Sequence, residues 1–331
     1  MALPTAASVV SSGLAQYPTV YYDRVALDTL HSNLFMYPAC DLKVMPPKAG
    51  VAMQIFDYSK MGANTTAVAE GTPGAGQSLT ANTATITMSN YADYVSFSNK
   101  VSLTNISDTV AEGAALLSYR GALSVDNVIS TALDVAANTT TLDRIDVPDG
   151  TYFTTSIARK AVYQLRSFDV QPKADGQFFG IVHSLAAYDL VNDNTAGGFS
   201  DLQKFSDALA SKNPALTGIK GQFIGNVGGC NFYESNAVPT ETNWQSSSHN
   251  AFHTYVIGHQ AVIAASLAKT NLNQKNFSVV VKNFPMGSNS LDPAGLIAAA
   301  AIYNFFFGCV IPPTHASSDK FRRIRSESSI G

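Results

Sequence analysis

The spacing of apolar positions divides the chain into segments of different period. Val20, Leu27, Leu30 and Leu34 lie near one face at helical spacing and predict a helix that opens at Pro18 and stops at Pro38. The Ala-, Ser- and Thr-rich residues before it read as extended. "VAMQIFDYS" at 51–59 reads as a strand. A second strand region covers 84–98: Ile86 and Met88 share one phase, while Tyr91, Val95 and Phe97 share the other. The alternation slips one step near Asn90, as a β-bulge would cause. Between these strands lies "AVAEGTPGAGQSLTANT", 67–83, in which Glu70 is the only charge. It is too polar and glycine-rich for a core and too neutral for an ordinary solvated linker.

The longest periodic stretch follows. Val110, Ala114, Leu117, Gly121, Val125, Val128, Ala132 and Val135 recur at steps of three or four, and Thr109 with Glu112 fits a capping box. A helix over about 108–137 spans roughly 45 Å at ~1.5 Å per residue. A turn at Asp149-Gly150 then precedes a helix with Ile157, Ala161, Leu165 and Phe168 on one side. "QFFGIVH", 177–183, is a continuous apolar run, as in a strand covered on both faces. Ser184 is placed to cap the helix "LAAYDLVND", and Ser200 to cap another carrying Leu202, Phe205 and Leu209. "GQFIGNVGGCNFYES" reads as a hairpin around "NVGG". A polar loop over 236–250, apolar runs at 252–267 and 277–284, and a helix-start signal at Asp292-Pro293 follow. "LIAAAAIYNFFFGCVI", 296–311, reads as a buried helix-to-strand element, since its 16 residues fall short of the ~20 of a membrane span. The order is mixed α and β, with no βαβ periodicity and no internal repeat.

Composition sharpens this picture. Of 331 residues 46% are hydrophobic, enough for a sizeable core, yet only 14% are charged, against about a quarter in ordinary soluble chains. So neutral a surface favours association, because little charge repulsion keeps copies apart. A net charge of −3 supplies no global basic field for nucleic acid. Cys40, Cys230 and Cys309 lie far apart with no CxxC pair, which excludes a zinc ribbon and argues against a disulfide framework. The chain reads as one that folds in a reducing cytoplasm. Its N-terminal stretch lacks the basic region and long apolar core of a secretory signal.

Candidate catalytic motifs do not assemble. "HNAFH" sets His249 and His253 at i and i+4, a metal-binding spacing on a helix. Asn250 stands where a metalloprotease needs Glu, and "FHTYVI" reads as a strand, so surface histidines are expected. "GTPGAG", 71–76, lacks the Lys-Ser/Thr and the following helix of a phosphate-binding loop. There is no GxSxG elbow. His183, at the end of a buried strand, reads as a hydrogen-bonded structural imidazole rather than a base. Asp143, Asp146 and Asp149 lack the Gly and terminal Glu of an EF-hand loop and read as a solvated turn. "DKFRRIRSES", 319–328, reads as a solvated edge whose charges block unwanted strand pairing, with contact to nucleic-acid phosphate as the alternative. The expectation is no catalytic residue, no cofactor and no metal.

A two-stranded hairpin is marginal alone in water, so an arm with a glycine-rich tip must lie on its own body or on a neighbouring copy. Few ions need be desolvated for the tip to dock, and its backbone groups can bond a neighbour's edge. The segments "YYDRVALDTL", "NTTAVAEGTP", "YADYVSFSNKVSLT" and "LSYRGALSVDNVI" occur in an order that resembles the major capsid proteins of tailed bacteriophages. The branch is that typified by phage N4, with the HK97-like fold. The likeness is densest over 17–135 and continues in "GQFFGIVHSLAAYDLVND", where Ser184 replaces the family's usual Pro, and in "DPAGLIAAAAIYNFF".

The resemblance implies an α+β subunit in five parts. These are an N-terminal arm and helix (1–40), an extended loop with flanking strands (41–103), a spine helix of the peripheral domain (104–138), an axial domain (139–275) and a C-terminal return to the peripheral domain (276–331). It implies subunit contacts at Tyr21, Tyr22 and Arg24 on the arm and at Glu70, Pro73, Gln77 and Leu79 on the loop tip. The implied function is a major capsid protein that self-assembles as hexamers and pentamers into an icosahedral shell around double-stranded DNA. Such a shell is assembled in the bacterial host cytoplasm with separate scaffolding, portal and cement proteins and without a membrane. An encapsulin-like compartment is the alternative of the same fold; a metal-dependent hydrolase using His249 and His253 is the alternative of a different class.

Overall fold

The computed structural model describes residues 36–46, 50–58, 61, 63–71, 74, 76–79, 81–104, 109–193, 223–244, 249–267, 279–283, 296–312 and 320–330. The Ser200 helix and the Asp292-Pro293 helix start lie outside them, as does the first expected helix up to residue 35. The strands in chain order are β1 Asp41–Met45, β2 Ala52–Tyr58, β3 Ala81–Thr87, β4 Ser89–Ser98, β5 Arg144–Asp146, β6 Phe178–Val182, β7 Phe223–Val227, β8 Cys230–Glu234, β9 Thr240–Glu241, β10 Ala251–Ile257, β11 Ile263–Leu267, β12 Val279–Asn283, β13 Ile297–Val310 and β14 Phe321–Ser326. The helices are α1 Asn99–Thr104, α2 Thr109–Thr139, α3 Thr155–Ser167 and α4 Ser184–Val191.

The long helix α2 contains no proline over its 31 residues, so nothing interrupts its backbone bonding. Leu117, Gly121, Val125, Ile129, Leu133 and Ala137 are buried at steps of four, with Asp126 and Ser130 buried beside them. Each such step turns the face by about 40° at ~3.6 residues per turn, so the buried stripe winds around the helix. The neighbours change accordingly. Gly113 lies against the Phe97 ring of β4, where a Cβ would come within 2.4 Å. The Cys309 thiol of β13 donates to the Val128 carbonyl at 3.7 Å, and Asp134 meets Arg323 of β14. The stripe expected from sequence holds through Val128, which packs against the core, and has left it by Val135, which is 62% exposed.

Residues 296–311 contain no helix, against expectation; β13 is a 14-residue strand. β4 pairs along one edge of it from Ile297 to Phe307, while β12 and β11 share the other edge. With both edges bonded, the period of two prevails over the helix propensity of the alanines. Tyr303, Phe305 and Phe307 are buried beneath α2, and Asn304 is exposed. Tyr91 of β4 stacks on Phe305 at 5.6 Å. Together with β1, parallel to β11, these strands make a five-stranded sheet.

The slip of phase near Asn90 is a change of sheet rather than a simple bulge. Ala84, Ile86 and Met88 are buried on one phase, Phe97 on the other. β3 pairs with β2 alone, whereas β4, beginning two residues after β3 ends, pairs with β13. The β2–β3 ribbon thus leaves the five-stranded sheet as a direct continuation of one of its strands. Gly308 sits where the two meet: a Cβ there would lie 2.5 Å from the Thr87 carbonyl oxygen, and only glycine allows that approach.

A seven-stranded sheet has the order β5-β14-β10-β6-β8-β7, with β9 beside β10. All five residues of β6 are buried, as the unbroken apolar run predicts. Phe178, Val182, Phe232, Val256 and Ile324 form one face with α3 and α4. Phe179, Ile181, Tyr255, Ile257 and Phe321 form the other, continuous with the core beneath α2. The β7–β8 hairpin turns at Gly228 and Gly229, whose φ of +62° and +94° suits the two-residue turn expected at "NVGG". His183, not Ser184, caps α4: its Nδ1 accepts the Leu185 N–H at 3.2 Å. The boundary expected at 275 does not divide the sheets. β11 lies before it in the five-stranded sheet and β14 after it in the seven-stranded one, because β14 finds its long antiparallel partner in β10. Among the described residues no helix is long and apolar enough to cross a membrane.

Candidate functional site

Two regions stand out chemically: the β2–β3 arm, and the seam where β14 meets α2. In the arm, Met53 opposes Ile86 and Ile55 opposes Ala84. These residues face inward and pack with Met45, Ile263 and Ala265. The opposite face carries Phe56 and Tyr58, each 57% exposed, across from Thr83 and Ala81. Beyond the paired strands, every described residue from 61 to 79 is exposed, including Met61, Val68 and Leu79. Lys320 donates to Asp57 at 3.2 Å, near the end of the ribbon that lies away from β4. The result is a neutral, partly apolar surface held out from the body on a ribbon with one wet face.

Glu70, Gln77 and Leu79, expected at the loop tip, are exposed together on this segment. Tyr21, Tyr22, Arg24 and Pro73 lie outside the described residues. Sequence reading passed over Phe56 and Tyr58. Their spacing by two in β2, out of phase with Met53 and Ile55, is the signal that marks them as the outward face.

The seam overturns the reading of "DKFRRIRSES" as a solvated edge. β14 lies inside the seven-stranded sheet between β5 and β10, and Arg322 and Arg323 are 0% and 1% exposed. Arg322 donates to Asp143 at 3.0 Å, with both side chains fully buried, and lies over the Phe168 ring at 5.3 Å. Arg323 donates to Asp134 at 3.1 Å and to Asn138 at 2.8 Å, joining the sheet to α2. The Tyr255 hydroxyl donates to Asp134 at 2.8 Å, and His253 Nδ1 approaches it at 3.1 Å. Arg325 donates to Asp146 at 2.7 Å and to Glu241 at 2.9 Å, and covers Trp244. Asp143 and Asp146 therefore belong to ion pairs rather than to a solvated turn.

Burial pushes the Asp134 carboxyl up, but the His253 hydrogen bond and charge, with the Tyr255 and Arg323 bonds, hold it below the usual range. Asp146 follows the same pattern, with Arg325 and Arg144 outweighing burial. Burial, reinforced by Asp134, drives the Tyr255 phenol well above its ordinary value. These groups fix their charges and bind two layers together; none is poised near neutral pH as an acid or base.

His249 and His253 are not brought to a shared site. His253 is 5% exposed and faces Asp134 and Glu241, so the expectation of a surface histidine fails for it. His249 is exposed and faces Glu327. His183 caps α4 and packs on Phe252, and burial lowers its pKa. Burial raises the thiols of Cys40 and Cys230 well above their usual range and that of Cys309 to about 11, so they are inert.

No protein-family profile matches the sequence, and no curated protein matches it either. Solved structures do. The chain is similar to the capsid of Ralstonia phage GP4, with a TM-score of 0.71 and 11% identity, over 95% of this chain and 96% of that one. It is similar to a chain of the cyanophage Pam1 capsid asymmetric unit, with a TM-score of 0.66 and 11% identity over 99% of each chain. The acid-stable capsid of Helicobacter pylori bacteriophage KHP30 matches with a TM-score of 0.60 and 12% identity, over 96% and 97%. The chain has the HK97-like capsid fold expected from its sequence.

Proposed function

We propose that the chain is the major capsid protein of a tailed phage, of the N4-type branch, and that it self-assembles into an icosahedral shell around double-stranded DNA. The observation that carries this reading is end-to-end likeness to phage capsid subunits, at 95% and 96% coverage with a TM-score of 0.71. The exposed neutral arm supports it, because an outlying ribbon with Phe56 and Tyr58 in water is completed by another surface. In this reading the β2–β3 arm is the extended loop and overlies an adjacent subunit, with Glu70, Pro73, Gln77 and Leu79 in contact. Tyr21, Tyr22 and Arg24 contact neighbours from the N-terminal arm. The helix α2 with the five-stranded sheet forms the peripheral domain. The seven-stranded sheet with α3 and α4 forms the axial domain around five-fold and six-fold positions. Assembly takes place in the bacterial cytoplasm with separate scaffolding, portal and cement proteins, and the finished protein resides in the virion.

The function is assembly rather than catalysis, with many modest contacts closed by symmetry. The test is expression of the chain, with a scaffolding protein where required, and negative-stain electron microscopy. Shells are expected from the intact chain, and deletion of 67–83 is expected to leave soluble subunits without shells. Normal shells from the deletion would overturn the role given to the arm. A stable monomer under every assembly condition would overturn the function.

A further inference from the structure

Beyond the seam, three side chains with metal-binding atoms converge near the end of β14. One ligand atom from each of Asp149, His249 and Glu327 lies within 4.8 Å of the others. They come from three separate stretches of chain: the turn after β5, the residues before β10, and the residue that follows β14. Backbone bonds hold each in place. The Thr151 N–H closes the turn on the Pro148 carbonyl at 3.0 Å, with Gly150 at φ +71°. The Trp244 N–H donates to the His249 carbonyl at 3.3 Å. Glu327 forms a parallel bridge with Tyr152.

Glu327 is 3% exposed, and its Oε2 accepts the Gly150 N–H at 3.2 Å. Its Oε1 faces His249 Nδ1 at 3.9 Å, beyond hydrogen-bond length. A buried carboxylate thus lies near an imidazole nitrogen, with a second carboxylate beside them. Zinc bonds to oxygen and nitrogen are ~2.0–2.2 Å long, so two ligands of one tetrahedral ion stand roughly 3.3–3.6 Å apart. Asp149 and His249 are exposed, so closing the remaining distance displaces no buried side chain of theirs. Their exposure also leaves coordination positions open to water.

We propose that Asp149, His249 and Glu327 form a divalent-cation site that takes zinc. The imidazole disfavours calcium and magnesium, which prefer all-oxygen shells, and the two carboxylates favour a borderline ion over a soft one. The ion offsets the repulsion between the two carboxylates and staples the turn after β5, the segment before β10 and the end of β14 to one another. Its role is structural.

The test is calorimetric titration of the metal-stripped full-length chain with zinc chloride, alongside His249→Ala and Asp149→Asn. Both substitutions are at exposed positions, so the fold is retained. The intact chain is expected to bind one zinc per subunit, and each substitution to weaken binding at least about tenfold. Zinc is expected to raise the unfolding temperature of the intact chain and not that of His249→Ala. Absence of stoichiometric binding, or binding that both variants retain unchanged, would overturn the proposal.

Discussion

From residue 61 to 79 the chain carries one charge, Glu70, and every described residue of that stretch is exposed. In β14, three of six residues are arginines, and the strand is almost entirely dry. By composition the two would be assigned the opposite environments. The difference lies in what each segment meets within its own subunit. Each arginine of β14 reaches a carboxylate at 3.1 Å or less, fixed on another element, so its charge is compensated where it is buried. The arm has few ions to desolvate, yet Phe56 and Tyr58 on its outer face stay 57% exposed. Burial follows the available partners, and under the proposed function those of the arm would lie in another copy.

The comparison breaks most sharply at the fully buried pair. Arg322→Leu is expected to strand Asp143 and lower stability by about 3–5 kcal/mol in denaturant titration of the soluble subunit. Adding Asp143→Leu should recover a large part of that loss, since both charges are then gone. If the double variant were as unstable as the sum of the singles, the two residues would not act as a pair.

A smaller effect is expected from acid. The carboxyls of Asp134 and Asp146 titrate lower in the folded chain than in the unfolded one. Their contribution is complete above the unfolded value of ~3.9 and is lost as pH falls through the folded values. The unfolding temperature should therefore drop below about pH 4, and Asp134→Asn should flatten that slope. An equal slope in the variant would remove Asp134 from the account.

The smallest effect on the subunit belongs to the arm. Phe56→Ser with Tyr58→Ser should change subunit stability by no more than about 0.5 kcal/mol, because both side chains already stand in water. The same double substitution should reduce shell yield severely, read by sedimentation. A large loss of monomer stability would place these rings in the subunit's own core and dissolve the contrast.

Features set by local chain chemistry were legible in the sequence. The strand at 52–58, the long helix and the Gly228-Gly229 turn follow from period and turn residues within a short window. The phase slip near Asn90 was visible, but not its meaning, since the switch between sheets depends on β13 more than 200 residues away. The alanines of β13 favour a helix until both edges find strands. His253 and the β14 arginines look like surface residues because Asp134 and Asp143 stand far from them in sequence. Lack of charge and richness in glycine are local properties that set 67–83 apart, whereas the subunit contacts at Glu70, Gln77 and Leu79 rest on the resemblance alone. The outward pair Phe56 and Tyr58 was missed although its alternation was on view.

The placement of β14 also bears on how the subunit is made. Of the described strands of the seven-stranded sheet β14 comes last in chain order, and it enters between β5 and β10 rather than at the rim. Until β14 is made, the edges of β5 and β10 that it bonds lack that partner. Pairing across such sequence distances is slow to form. A chain without β14 thus lacks the strand whose Arg323 joins the sheet to α2, and would be left loose and open to proteolysis.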